Sequence, residues 1–455
     1  MPVFRRRSAL PVPAAEGFAR HARPGAFERL APPWQTIRIV ERTGGITDGS
    51  ELVMEMRLGP FRQRWVARHG GYVEGREFTD EQVSGPFAAW RHTHRVLPDG
   101  DTASILEDTI TYALPLAPLG PFLGGAAVER MLDRLFQFRH ARTRDDLARH
   151  AAVAAHGPRR IAVTGASGLV GRQLAAFLTA GGHTVLPLVR RAPRRGTDEI
   201  GWDPAAGRID AARLEGVDAV VHLSGEPVAA RWTSARKAAI RASRVDSTAL
   251  LATTLARLAR PPRVLLSASA IGFYGDRGHT PLDETNPSGS GFLAEVCRAW
   301  ETAAAPAVDA GIRVVHPRIG VVLAGQGGAL ATMALPFQLG LGGVVGDGHQ
   351  MMSWIALDDL VGLLHHLLFA EVHGPVNATA PDPATNATFV GTLGTVLHRP
   401  TLLPLPAAAV RLMFGDMGEE VLLSGARVLP RVAEASGFRF LHTDLAQAMR
   451  DELGA

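Results

Sequence analysis

Lysine is nearly absent from this 455-residue chain: among its 48 lysines and arginines, only Lys237 is a lysine. Any chemistry that needs a lysine ammonium therefore has one candidate. Cysteine is as scarce, with Cys297 alone, so no intramolecular disulfide can form and a reducing, cytoplasmic setting is expected. Tyrosine is confined to Tyr72, Tyr112 and Tyr274. No apolar run approaches the ~20 residues that cross a bilayer, so no membrane span is expected. The opening MPVFRRRSALPVPAAEG is basic but lacks the apolar core of a secretory signal.

What remains has the balance of a folded globular chain, with 46% hydrophobic and 20% charged residues. Its length predicts two or three domains. A pI near 9.9 suggests a nucleic-acid partner, but 44 acidic residues leave a net charge of only +4. No clustered basic face with a reading element accompanies it, so nucleic-acid binding is not expected.

The stretch that organises the chain is Arg160 to Gly171, RIAVTGASGLVG. Ile161 to Thr164 read as a short buried strand. Val170, Leu174, Phe177 and Leu178 then recur at helical spacing. Between them stand Gly165, Gly168 and Gly171, in the strand–turn–helix context that a dinucleotide fingerprint requires. Gly165 permits the tight turn, Gly168 lets backbone approach a pyrophosphate, and Gly171 lets helix pack close to strand. Ser167, Leu169 and Val170 complete the turn, whose N–H groups meet phosphate charge at the helix start.

Residues 1–152 carry no such signal. Helical pieces are predicted at 14–21 and 26–30, followed by alternating segments at 36–41, 51–58, 61–69, 72–78, 88–96 and 102–114. Gly59-Pro60, Gly70-Gly71 and Pro98-Asp99-Gly100 supply turns. Beyond the proline-bounded 115–121, Val128, Met131, Leu132, Leu135 and Phe136 fall at helical spacing up to about His150. A curved antiparallel sheet gripping one long helix, an α+β helix-grip domain, is the expected packing. Trp90, His92 and His94 share one strand face. Zinc takes three or four ligands, and no third is evident nearby. These residues read as structural or pocket-lining, and no metal is expected.

After a linker at 151–158, strand and helix signals alternate as in a doubly wound parallel sheet. Strands are expected at 184–189, 219–223, 263–267 and 313–316, and helices at 234–260 and 291–311. Beyond Arg318 the alternation loosens into helices such as 359–369 and glycine loops such as 340–348, which suits a smaller substrate-side lobe. The second strand ends Val189-Arg190-Arg191, with Arg194 and Arg195 following and no acid at its tip. NAD prefers a carboxylate there and NADP an arginine, so NADP(H) is the cofactor expected.

Two resemblances extend this reading. The phrases PGAFERLAPPW, LGPFRQRWVARH and FTDEQVSGPFAAWRHTHR resemble the START-like, polyketide-cyclase-like superfamily, which implies a cavity for an apolar ligand. TGASGLVG, HLSGEPVAARWT, SASAIGFYGD, FLAEVCRAWE, RIGVVLAGQGGAL and SWIALDDL resemble the extended short-chain dehydrogenase/reductase superfamily, in its atypical epimerase-like branch. The tail from Arg399 resembles the C-terminal domain of unknown function found in that branch. The resemblance implies a Rossmann fold, places the loop Leu223-Ser224-Gly225 against the cofactor, and sets Ser269 where the superfamily puts a carbonyl-binding serine. It also implies a Tyr-x-x-x-Lys proton-transfer pair, and here the chain departs. Four residues after its tyrosines stand Arg76, Leu116 and Gly278, and Thr233 precedes Lys237 at that spacing. On the helix where the pair belongs, Phe292 and Val296 take the two places.

The domains expected are 1–152, a helix-grip ligand-binding domain; 158–398, an NADP-binding Rossmann domain; and 399–455, completing a small substrate lobe. Ser269 and Tyr274 are the remaining catalytic candidates. Glu226, Arg231, Trp232, Phe292, Arg318 and Trp354 are candidates for the substrate pocket. The function expected is that of an epimerase-like oxidoreductase acting on a small molecule; the alternative is a non-catalytic protein that senses NADP(H) or carries a lipid-like ligand.

Overall fold

A computed structural model describes residues 1–58, 61–115 and 119–455. The Gly59-Pro60 turn and part of the 115–121 break lie outside them. The chain divides into two compact units, Met1–Gly157 with Ala176–Gly182, and Pro158–Ala175 with His183–Ala455.

The first unit contains strands β1 (Val3–Leu10), β2 (Ile37–Thr43), β3 (Glu51–Leu58), β4 (Phe61–Val73), β5 (Glu77–Ser84), β6 (Ala89–Pro98) and β7 (Ser104–Ala113). They form an antiparallel sheet in the order β1-β7-β6-β5-β4-β3-β2. Helices α1 (Ala14–Ala22), α2 (Ala26–Leu30) and α3 (Leu119–Ala151) complete it. On α3, Leu132, Phe136, His140, Thr143 and Leu147 recur at helical spacing and are all buried. That stripe meets Trp65, Trp90, Ile110 and Tyr112 on the sheet; each fully buried Leu or Phe contributes about 1.5–3 kcal/mol. A cavity of about 1210 Å³ remains, lined by residues of α2, α3 and the sheet.

Two departures from expectation have local causes. The basic opening is strand β1, paired along its length with β7, and Arg6 Nη1 reaches Asp133 Oδ1 at 2.8 Å. The strand expected at 72–78 is split. Gly75, at φ +72°, makes the turn, and Gly70-Gly71 instead sit within β4 at an irregularity in its pairing with β5.

The second unit is a parallel α/β sheet. Its strands include β8 (Arg160–Thr164), β9 (Thr184–Val189), β10 (Ile200–Asp203), β11 (Arg208–Ile209, antiparallel to β10), β12 (Ala219–His222), β13 (Val264–Ser267), β14 (Ser269–Ala270), β15 (Gly278–Leu282) and β16 (Arg313–Ile319). The sheet runs β11-β10-β9-β8-β12-β13-β16-β14, with Gly374–Ala378 also pairing β16, and β15 lies apart beside Ala426–Val428. Helices α4 (Leu169–Ala180), α5 (Ser234–Ala256) and α6 (Phe292–Thr302) follow β8, β12 and β15. Strand order reverses between β8 and β12, which opens a crevice at their carboxyl ends. The helix expected over 291–311 is two, because Pro306 opens a separate turn at Ala305–Asp309. β10 and Gly374–Ala378 are too short and mixed in polarity to stand out in the sequence.

One polar knot holds the helices of the first unit together. Asp146 of α3 takes Arg20 of α1 at 2.8 Å and Arg29 of α2 at 2.6 and 3.0 Å, with all three side chains buried. Such a cluster is costly to desolvate and costlier to break. Asp146→Ala removes the carboxylate shared by two buried guanidiniums, and the expected loss is about 3–5 kcal/mol, read as a lower urea midpoint for this unit. An unchanged midpoint contradicts the assignment.

Candidate functional site

Thr164 closes β8, and its buried hydroxyl anchors the site. Oγ1 accepts from the backbone amides of Leu223 at 3.0 Å and Ser224 at 3.2 Å, and lies 2.7 Å from His222 Nδ1. With its lone pairs taken, its proton goes to Nδ1, which leaves the imidazole proton on Nε2, 3.2 Å from Ser247 Oγ on α5. Burial pushes His222 down to about 4, so the ring is neutral near pH 7. Thr164, His222 and Ser247 hold the loop after β12 against the end of β8. Nothing in their spacing singles them out.

Around that anchor the three glycines differ in what surrounds them. Gly165 has φ +67°, and a Cβ there would stand 3.0 Å from the Leu223 carbonyl. At Gly171 a Cβ would fall 2.1 Å from Gly165 O, so helix and turn touch backbone to backbone. At Gly168 the nearest atom to a Cβ would be Gly165 O at 3.2 Å, and the residue is exposed. Its open side faces outward, a cradle that a side chain would fill. Ser167 is exposed beside it, and Leu169 and Val170 are half-buried in the first turn of α4. Leu223, Ser224 and Gly225 lie across the crevice at the end of β12.

The arginines after β9 do not share one role. Arg191 is held in a two-pronged pair with Glu199, its Nη1 2.8 Å from Oε2 and its Nη2 on Oε1. The pair, with the Arg194 amide at 2.9 Å, pushes the Glu199 carboxyl down to about 2. Arg194 Nε lies 3.7 Å from the same carboxylate, and the Arg195 side chain is exposed. Arg190 is exposed and has no ion pair or side-chain hydrogen bond among the described residues. The acid absent from the strand tip is supplied eight residues beyond Arg191, and it binds an arginine of this chain.

Ser269 and Tyr274 enter one buried network. Ser269 Oγ donates to Glu301 Oε1 at 2.7 Å. Glu301 of α6 accepts Arg318 Nε at 2.9 Å and Nη2 at 3.0 Å, and Arg318 Nη1 donates to the Tyr274 hydroxyl at 2.9 Å. Asn377 Oδ1 lies 2.8 Å and Asp283 O 3.0 Å from that hydroxyl. Tyr274 is fully buried, and burial pushes its pKa up. Arg318 also stacks on Phe273, 3.5 Å from the ring centroid. On α6, Val296 and Cys297 face inward, and burial pushes the thiol up to about 11, which leaves it inert.

The pocket candidates disperse. Trp354 has no exposed surface, belongs to the core with Phe389 and Leu393, and donates Nε1 to Asp382 O. Arg318 belongs to the network above. Glu226 Oε2 faces Arg236 at 3.4 Å, and Arg231 reaches Leu412 O at 3.1 Å. Trp232 and Phe292 pack edge-on with centroids 5.1 Å apart, in a cluster with Met417 and Phe414. Lys237 lies over both rings and pairs with Asp416 at 2.6 Å. The only lysine thus ties α5 to the C-terminal segment. From that segment Glu420 also accepts the Phe292 and Leu293 amides, at 3.0 and 2.9 Å, where the helix dipole favours a carboxylate.

Comparison with known proteins shows which families the chain resembles. Residues 161–378 match the NAD dependent epimerase/dehydratase family, 405–452 a domain of unknown function (DUF1731), and 10–136 the family described as polyketide cyclase / dehydrase and lipid transport. An epimerase family protein of Mycobacterium tuberculosis is 44% identical over 291 residues, covering 64% of this chain and 96% of its own length. Human epimerase family protein SDR39U1 is 38% identical over 297 residues, 64% of this chain and 99% of its own. The crystal structure of a nucleoside-diphosphate sugar epimerase from Corynebacterium glutamicum superposes with a TM-score of 0.80 at 34% identity, over 99% of this chain and 90% of that one. The structure of the human protein, solved with NADPH, gives 0.60 at 36% identity over 65% and 99%.

The neutral His222 ring carries a pH signature. Its ordinary value is 6.5 and its folded value about 4, so the unfolded chain binds the extra proton between them. The stability it contributes is complete above pH 6.5 and is lost as pH falls toward 4, up to about 3 kcal/mol. NMR of the folded chain is expected to show the His222 ring still neutral at pH 5.5, and titration near 6.5 would contradict its placement.

Proposed function

The chain belongs to the epimerase family, and on that premise we propose that its second unit binds NADP(H) across the glycine turn while lacking the family's tyrosine–lysine proton-transfer pair. The observation that carries this reading is an exposed Arg190, unpaired among the described residues, at the carboxyl end of the strand beside the open turn at Gly168. The human relative whose structure contains NADPH supports it. Amides of Ser167 to Val170 would meet the pyrophosphate, Leu223 to Gly225 would flank the cofactor, and Arg190 would take the 2′-phosphate. When bound, the cofactor supplies a hydride to a held carbonyl, or accepts one from an alcohol. The chain orients it. Ser269 and Tyr274, both committed to the Glu301–Arg318 network, position the pocket wall rather than pass protons, so the proton comes from water in the crevice.

That burial also favours a second reading, a protein that holds NADP(H) and reports its redox state without turnover. In both readings residues 1–152 hold an apolar ligand in the 1210 Å³ cavity, residues 158–398 hold the cofactor, and residues 399–455 complete the small-molecule substrate lobe. Steady consumption of NADPH in the presence of aldehydes and ketones marks the oxidoreductase; tight binding without consumption marks the reporter.

Nicotinamide fluorescence tests the cofactor placement. Arg190→Glu is expected to cut the preference for NADPH over NADH roughly tenfold or more, the scale of a charge-assisted contact. Arg191→Glu is expected to change it little, because Glu199 already holds that guanidinium. Gly168→Trp is expected to abolish binding of both cofactors. An unchanged preference in Arg190→Glu removes Arg190 from the phosphate site.

A further inference from the structure

The cavity of the first unit has a polar floor that sequence spacing does not reveal. His92 and His94, two apart on β6, point to the same face of the sheet. Asp80 on β5 stands directly opposite His92, and Asp108 on β7 directly opposite His94. The third group missing from the sequence is therefore Asp80, brought in by strand pairing.

These groups form two layers. Asp80, His92 and His94 line the cavity; Asp108 and His140 do not, and lie behind them. In the cavity-facing layer, Asp80 Oδ2 is 3.1 Å from His92 Nδ1 and 3.4 Å from His94 Nε2, and the three donor atoms lie within 4.8 Å of one another. Two donors each about 2.1 Å from one ion stand about 3.0 Å apart at a right angle and about 3.4 Å apart at the tetrahedral angle. The spacing suits a shared ion. In the layer behind, Asp108 Oδ1 takes the opposite ring nitrogens, His92 Nε2 at 3.1 Å and His94 Nδ1 at 2.7 Å. Its other oxygen meets His140 Nε2 at 2.8 Å, and His140 Nδ1 meets Ser8 Oγ at 2.9 Å. A metal-bound imidazole characteristically donates its other N–H to a carboxylate, which fixes tautomer and orientation. Here one buried carboxylate hydrogen-bonds the His92 ring in this way and lies against the outer nitrogen of His94.

A second observation points to a ligand in the same cavity. Trp65 and Trp90 line it, are each at least nine-tenths buried, and have indole N–H groups without a hydrogen-bond partner among the described residues. A buried indole N–H ordinarily finds an acceptor. Leu52, Met54 and Met56 supply apolar wall nearby.

We propose that Asp80, His92 and His94 bind a divalent first-row transition metal whose open coordination positions face the cavity, where an amphipathic molecule with an oxygen donor completes the site. Two imidazoles and one carboxylate, with positions left open, suit zinc or iron(II) rather than magnesium or calcium. Three protein ligands at a cavity wall match an exchangeable site more than a closed structural one. The proposal is independent of cofactor binding by the second unit.

The full chain, stripped with chelator and titrated with Co²⁺, tests this. Visible d–d absorption is expected to saturate at one equivalent and to be displaced by Zn²⁺. Asp80→Asn and His92→Gln are expected to weaken binding at least a hundredfold, and Asp108→Asn, which removes only the orienting charge, roughly 10–100-fold. Absence of a saturable band in the wild type overturns the proposal. So does a wild-type band in Asp80→Asn and His92→Gln chains that retain native circular dichroism. Should those variants not fold, anomalous scattering from wild-type crystals grown with Co²⁺ decides: a peak among Asp80, His92 and His94 supports the site, and a peak elsewhere alone overturns it.

Discussion

The second unit depends on a backbone contact that no side chain can share. Helix α4 approaches the turn so closely that a Cβ at residue 171 would sit 2.1 Å from Gly165 O. The approach brings the helix start, with its unpaired amides, to the carboxyl edge of the sheet at the point where strand order reverses. Thr164 fixes the other side of the crevice by drawing in the Leu223 and Ser224 amides. Both wall and cradle are backbone. An anion-binding site so built needs no lysine, which accords with a chain whose one lysine serves as a tether to Asp416.

A second region of this unit, around Ser269 and Tyr274, is organised by charge burial. Arg318 and Glu301 form a pair whose side chains retain only 4% and 14% of their exposure, extended to Ser269, Tyr274 and Asn377. Such a pair is poor at adding stability, yet removing one partner leaves an uncompensated charge. It also sets the chemistry of its neighbours. A tyrosine that exchanges protons near neutrality needs its pKa lowered, whereas burial pushes Tyr274 up. The Ser269 and Tyr274 hydroxyls are both engaged within this network.

Much of this was legible in the sequence where signals are local and periodic. The glycine turn, the strand before it and the helix after it occupy one contiguous stretch, and α3 shows its apolar stripe in residues 128–136. What could not be read depends on pairing across elements. Glu199 reaches back to Arg191 over a loop, so counting acids at the strand tip misses it. Asp80 becomes a neighbour of His92 only through the β5–β6 register. Gly75 rather than Gly70-Gly71 makes the turn, a choice between glycines that local composition leaves open. Trp354 carries an aromatic ring and an N–H that suit a pocket as well as a core, and only its full burial decides between them.

The backbone cradle at Gly165 to Gly171 is proposed to hold a phosphorylated nicotinamide cofactor. Calorimetric titration of the full chain with NADPH measures this most directly. Saturable heat at one cofactor per chain, with weaker binding of NADH, is the result predicted. No saturable heat with NADPH, NADP⁺, NADH or NAD⁺ would contradict it.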